Sequence, residues 1–195
     1  NLSSDINDTV KGVKLFDDAK QHDIAILPPD VNLSFPDFRV IDDKTISYGL
    51  AAIKNVGYKA AEDIAEHRES DEGYKTLFDL SKIGSSAVNK KTLESLVLSG
   101  ACDQIDGHRA QQFESIEKII RFGQLYNQKV NNDQASLFSG VDNALDIPTP
   151  ELDTVDEWGS EECLSKEKEL IGFYLSGDPL EPYKADFKDF EILSN

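Results

Sequence analysis

The stretch Gly49-Leu50-Ala51-Ala52-Ile53-Lys54-Asn55-Val56-Gly57-Tyr58-Lys59-Ala60-Ala61-Glu62-Asp63-Ile64 constrains this 195-residue chain most, because it joins core periodicity to a tight turn. Leu50 and Ile53 make one short apolar face. Val56 and Gly57 form the turn, and Ala60, Ala61, Ile64 and Ala65 restart the helical period beyond it. Two short helices joined by a hairpin satisfy that pattern. Gly57 is expected to supply a positive φ or a close backbone approach. The amides of Gly57, Tyr58 and Lys59 then open a helix N-terminus. Free N–H groups and the positive end of the helix dipole suit an anion there, and a phosphodiester is the anion that a repeating backbone offers. Small alanines past the turn allow close helix packing, as in a helix-hairpin-helix. An αα-hairpin without a ligand accounts for the same residues, and on this stretch alone both readings stand.

A net charge of −17 argues against bulk nucleic-acid binding unless the charge is unevenly placed. It is: residues 44–95 carry 8 acids and 8 bases, whereas residues 140–195 carry 15 acids and 4 bases. The hairpin region is therefore neutral, with Lys54, Lys59, Lys75, Lys82, Lys90 and Lys91 available to face a phosphate backbone while the acidic tail is repelled from it. DNA affinity from such a surface is expected to be modest and salt-sensitive. No apolar run approaches the roughly 20 residues that span a bilayer, and no signal-like segment opens the chain. A cytoplasmic location and no membrane partner are expected. Cys102 and Cys163 offer neither a disulfide framework nor a metal-ligand pair. His22, His67 and His108 lack ligand spacing and are assigned to surface or capping roles, so no metal site is expected. The absence of Met, with an N-terminus inside a polar phrase, suggests a fragment of a longer protein.

In chain order, Asp8 or Thr9 can cap a helix through Val10, Val13, Phe16 and Ala19 to about Gln21. Ile24 to Leu27 reads as a short buried strand ended by Pro28-Pro29. Phe38 to Ile41 and Thr45 to Tyr48 read as a β-hairpin whose acidic tip, Asp42-Asp43, faces water. Leu77, Phe78 and Leu80 mark a short helix capped near Thr76. Leu93, Leu96, Val97, Gly100 and Ala101 repeat at helical spacing, with Gly100 as terminator. Asp106 to Ala110 starts a further helix that buries Phe113, Ile116, Ile119 and Ile120. The unit Leu93 to Ile120 repeats the first hairpin in plan, with a longer turn that holds Asp103 and Asp106. From about Asn127 to Gly159 periodicity disappears, which reads as a linker or a surface-draped segment. Within it, Leu137-Phe138 either tucks back onto the domain or is a linear motif for a partner's pocket. Trp158 marks the return of order, and Glu161 to Ile171 is helical with a Glu162/Lys166 pair at i, i+4. The expected fold is mainly α with a small β component. A tandem helix-hairpin-helix domain is preceded by a short strand and β-hairpin region and followed by a linker and a C-terminal helix.

Several phrases together resemble one family, the alpha subunit of bacterial DNA polymerase III, the C-family replicative polymerase. They are Leu27 to Asn32, the hairpin Leu50 to Ala61, Val88 to Lys91 with Leu93 to Ala101, Gln134 to Phe138, and Glu167 to Gly177. Their order and spacing make the resemblance specific along nearly the whole chain. It implies that residues 1–48 end a fingers region and that residues 49–126 form a tandem helix-hairpin-helix module on duplex DNA. Residues 127–159 would form a linker, and residues 160–195 a helix leading toward an OB-fold domain. It implies DNA contacts by Lys54, Asn55, Val56, Gly57, Tyr58, Lys59, Lys90 and Lys91. It also implies that Gln134, Ser136, Leu137 and Phe138 bind the β sliding clamp, which favours the partner-pocket reading of that segment. Other holoenzyme subunits would be met through the parent chain. Continuation past the pentapeptide is the DnaE arrangement rather than that of PolC. The catalytic aspartates of the family, and the magnesium they hold, belong upstream, so no catalytic residue and no cofactor is assigned here. Two positions depart from the family: Asn55 stands where Gly is usual, and Asp178 where His is usual. Two other classes remain open, a protein-interaction scaffold whose hairpins pack only against neighbouring domains, and an accessory domain of a DNA-repair nuclease.

Overall fold

The computed structural model describes residue 19 and residues 21–70, 73–136 and 147–177, with backbone alone at 69–70 and 133–136. The expected N-terminal helix lies outside the described residues apart from Ala19 and Gln21. Three strands come first: β1 (Ala25–Leu27), β2 (Arg39–Asp42) and β3 (Thr45–Ser47). They form one sheet in the order β1-β3-β2, with Ile26 and Val40 flanking Ile46 from either side. The β2–β3 pair is the expected antiparallel hairpin. Asp42 Oδ1 accepts the Lys44 N–H at 2.8 Å and so turns the chain locally. β1, expected to be buried, pairs parallel to β3 with Ala25 and Leu27 exposed. A short apolar run does not reveal on its own that its strand will lie at a sheet edge. Gly49 hands the sheet over to the helices, and a Cβ there would meet Pro36 O and Phe38 N at 2.7 Å, so the close backbone approach requires glycine.

The helical part opens with a 3₁₀ turn at Leu50–Ala52, the first of the two expected short helices. Then follow α1 (Tyr58–Ser70), α2 (Leu77–Ser81), α3 (Lys90–Leu98), α4 (Arg109–Glu114), α5 (Ile116–Ser136) and α6 (Ser160–Ile171). Polar residues at the starts account for several boundaries. Thr76 and Asp79 form a capping box on α2. Asn89 Oδ1 accepts the Thr92 N–H at 3.2 Å on α3, and His108 Nδ1 accepts the Gln111 N–H at 3.3 Å on α4, the capping role expected of a histidine. Gly100, at φ 82, ends the α3 unit as expected. One apolar cluster joins these elements, with Leu50, Ile53, Ile64, Phe78, Leu96, Ile119 and Ile171 all fully buried.

Two features differ from the sequence reading. Helix α5 continues to Ser136, past Asn127 where periodicity fades. None of residues 126–132 is fully buried, so this part needs no apolar stripe, and a helix already nucleated by its buried half extends at little cost. Residues 147–159 have no regular structure but are fastened to the helices. The Asp153 N–H donates to Ser115 Oγ at 2.8 Å, Lys118 pairs with Asp153, and Trp158 lies 5.6 Å from Phe113 between ring centroids. Helix α6 carries the predicted Glu162/Lys166 pair at 3.3 Å and buries Leu170 and Ile171 in the shared core.

Candidate nucleic-acid interface

The first hairpin runs from the 3₁₀ turn to α1. Its positive φ belongs to Asn55, at 67°, and not to Gly57 as expected. Asn is among the few L residues that enter the left-handed region readily. The residue that departs from the family's usual Gly is therefore the one whose backbone takes a glycine-like conformation. Its side chain has a further use, since Nδ2 donates to Ser95 Oγ on α3 at 3.2 Å. Gly57 stands in open space, with nothing within 4 Å of the position a Cβ would take.

The amides of the hairpin divide into two groups. The Lys54 N–H donates to Leu170 O at 3.1 Å and the Val56 N–H to Ile53 O at 3.0 Å. Val56 is buried at 4% exposure, so neither its amide nor its side chain is available to a ligand. The amides of Gly57, Tyr58 and Lys59 have no acceptor among the described residues, as the first turn of a helix leaves them. Tyr58 is exposed, and its hydroxyl donates to Asp37 Oδ2 at 2.9 Å. That hydrogen bond and the Asp37 charge push the phenol above its usual range.

The predicted lysines separate in the same way. Lys54 and Lys91 form no ion pair with a described residue. Lys59 Nζ lies 2.8 Å from Asp63 Oδ1, and this hydrogen bond raises its pKa. Lys59 and a hydrogen bond from Ser85 hold Asp63 below the usual carboxylate value. Lys90 Nζ lies 2.7 Å from Glu117 Oε1, which likewise raises the lysine pKa. The expected cationic row is thus half matched by carboxylates of this chain.

The second unit, α3 to α4, is held together by residues that sequence reasoning passed over. Gln112 is fully buried, and its Nε2 lies 3.0 Å from Cys102 O and 3.1 Å from both Asp106 O and Gly107 O, gathering the long turn. Arg109 grips Asp103 through Nε at 2.7 Å and Nη2 at 2.6 Å. Burial opposes the Arg109 charge, but the hydrogen bond and charge of Asp103, with Glu167, raise its pKa on balance. Arg109 also reaches α6, with Nη2 3.5 Å from Glu167 Oε2. Glu167 is fully buried, and its Oε1 accepts the Leu175 and Ser176 N–H groups at 2.8 Å each. A glutamate among several acids on a helix reads as solvated. Only the three-dimensional partners reveal its role.

Gln134 and Ser136 fall in the last turn of α5, while Leu137, Phe138 and Asp178 lie outside the described residues. Among the described residues no three His, Cys, Asp or Glu side chains gather to hold a metal ion. No described helix is long and apolar enough to cross a membrane.

A family model described as a helix-hairpin-helix motif matches residues 23–112, which include the first unit and most of the second. The chain is 34% identical over 190 residues to the DNA polymerase III subunit alpha of Vibrio cholerae serotype O1, covering 97% of this chain and 16% of that protein. It is 36% identical over 199 residues to the subunit of the same name from Borreliella burgdorferi, covering 100% of this chain and 17% of that protein. With the Neisseria meningitidis serogroup A subunit it shares 34% identity over 188 residues, covering 96% and 16%. The chain spans about a sixth of the length of the curated relatives it matches.

Proposed function

The chain belongs to the DNA polymerase III alpha-subunit family, and from that premise we propose that it is a non-catalytic part of a bacterial replicative polymerase that holds duplex DNA and docks the β sliding clamp. One observation carries the DNA reading: the amides of Gly57, Tyr58 and Lys59 are without acceptors among the described residues, at a surface left open by Gly57. Those amides donate to phosphate oxygens at the positive end of α1, and Lys54 and Lys91 add charge, which grips the backbone without reading sequence. Lys59 and Lys90 contribute less in the free protein. Asp63 and Glu117 compete with a phosphate for these two ammonium groups.

The clamp is met by Gln134, Ser136, Leu137 and Phe138. Gln134 reaches a polar site while Leu137 and Phe138 fill an apolar pocket. A clamp encircling the DNA already held by the hairpins raises the effective concentration of that weak contact. Other holoenzyme subunits are engaged through the rest of the polymerase chain, in the cytoplasm, and the segment alone incorporates no nucleotide.

The rival is a scaffold whose hairpins only pack against neighbouring domains, and the carboxylate partners of Lys59 and Lys90 favour it. Gly57→Ala separates the two. A Cβ at this position meets nothing within 4 Å, so the urea unfolding midpoint should stay in place while the Kd for duplex DNA rises severalfold. Lys54→Ala should also lower the slope of log K against log salt by about 0.9, the value of one phosphate contact. No duplex binding at low salt, or binding indifferent to both substitutions, establishes the scaffold instead.

A further inference from the structure

Besides the core they share and the Asn55–Ser95 bond, both hairpins are hydrogen-bonded to one helix. The first is tied to the C-terminal end of α6 by the Lys54 N–H to Leu170 O bond at 3.1 Å. The second is tied seven and three residues earlier on the same helix. Arg109, at the end of the long turn, donates through Nη1 to Cys163 O at 3.4 Å and through Nη2 to Glu167 Oε2 at 3.5 Å. Residues 163, 167 and 170 lie on one helical face, so a rigid rise of 1.5 Å per residue sets the second hairpin's two attachments about 4.5 and 10.5 Å along the axis from the first hairpin's. The far end of the strut is also fixed. Glu167 Oε1 accepts the Leu175 and Ser176 N–H groups, and Oε2 accepts the Ser176 Oγ–H at 2.6 Å. A fully buried carboxylate with four donors costs much to disturb, and removing its charge leaves Arg109 with Asp103 as its one remaining charged partner among the described residues and with only the Cys163 carbonyl on α6.

We infer that Glu167 is a positioning residue for DNA: through Arg109 it holds the second hairpin at a set distance from the first, so that both meet one duplex together. This rests on the duplex-binding reading above. Two independently moving hairpins would each find the backbone, but ordering them on binding costs affinity that a prearranged pair does not lose.

The test uses Glu167→Gln in the full-length chain. Gln keeps an oxygen for the Leu175 and Ser176 amides while losing the charge that draws Arg109. Fluorescent labels attached through non-canonical residues at the exposed positions 66 and 104 report the separation of α1 and the second turn without DNA, well below the unfolding temperature. The expected result is a broadened distance distribution and a Kd for a salt-titrated duplex raised about three- to tenfold. Glu169→Gln removes the same charge from an exposed position on the same helix and should change neither readout. An unchanged distance distribution in Glu167→Gln overturns the positioning role, whatever happens to stability. A broadened distribution with unaltered duplex affinity overturns its importance for DNA. Absence of duplex binding by the parent chain overturns the DNA reading itself, and with it the claim that Glu167 positions hairpins for DNA.

Discussion

Asn55, at φ 67, donates from Nδ2 to Ser95 Oγ at 3.2 Å, so the turn of the first hairpin is stitched to the first helix of the second unit. The left-handed backbone costs an ordinary L residue roughly 1–2 kcal/mol, and the hydrogen bond contributes about 1 kcal/mol. Asn55→Ala should therefore destabilise the protein by about 2 kcal/mol in urea unfolding. Asn55→Gly relieves the backbone and loses only the side-chain bond, so it should cost less than about 1 kcal/mol. Equal losses in both variants would show that the φ angle is not what Asn55 is needed for.

The clamp segment gives the second prediction. A well-packed anchor residue is worth about 2 kcal/mol or more at an interface, equivalent to a Kd increase of roughly thirtyfold. Leu137→Ala combined with Phe138→Ala should abolish capture of a β sliding clamp in a pull-down, while duplex binding through the hairpins persists. Clamp capture by the double variant would show that residues 134–138 had been misread.

Asp79 provides a pH dependence. Burial raises its pKa, but hydrogen bonds from Lys82 Nζ at 2.7 Å and from the Thr76 and Lys75 amides at 2.9 and 3.1 Å outweigh this and hold it below 3.8. A carboxylate depressed in the folded state contributes stability above its unfolded pKa and loses it as pH falls through the folded value. Asp79→Ala should cost about 1 kcal/mol at pH 7, as loss of a capping box does. The gap between the parent and variant urea midpoints should then narrow as pH is lowered below 3.8. A gap that is constant from pH 7 to pH 3 would mean that the ionised carboxylate is not the stabilising form.

The α2–α5 contact is a matter of shape. A Cβ at Gly123 would come within 2.4 Å of Ser81 O and 2.7 Å of Ser81 Cβ, so Gly123→Ala must push the two helices apart. Overpacking of this kind costs about 1–3 kcal/mol, enough to lower the thermal midpoint by several degrees. Gly57→Ala, in open space, is the matched control and should leave the midpoint unchanged.

Much of the chain was legible because local chemistry decides it. The cap near Thr76, the terminator Gly100 and the apolar spacing from Leu93 to Ile120 act within one or two turns of the backbone, so their order predicts helices wherever those helices come to pack. Exposure was less legible. Nothing within Ile24 to Leu27 shows that β1 is an edge strand, and nothing in the polar run after Asn127 shows that a helix already begun will carry on to Ser136.

The sequence by itself determined the strands and most helix starts, because each depends on neighbours a few residues away. Tertiary structure alone decided that Asn55 and not Gly57 takes the left-handed turn, that Lys90 is met by Glu117, and that Arg109 and Glu167 join the second hairpin to α6. Those last contacts bring together groups 27 and 58 residues apart. Their partners are chosen by how the helices pack, and no local pattern encodes that choice.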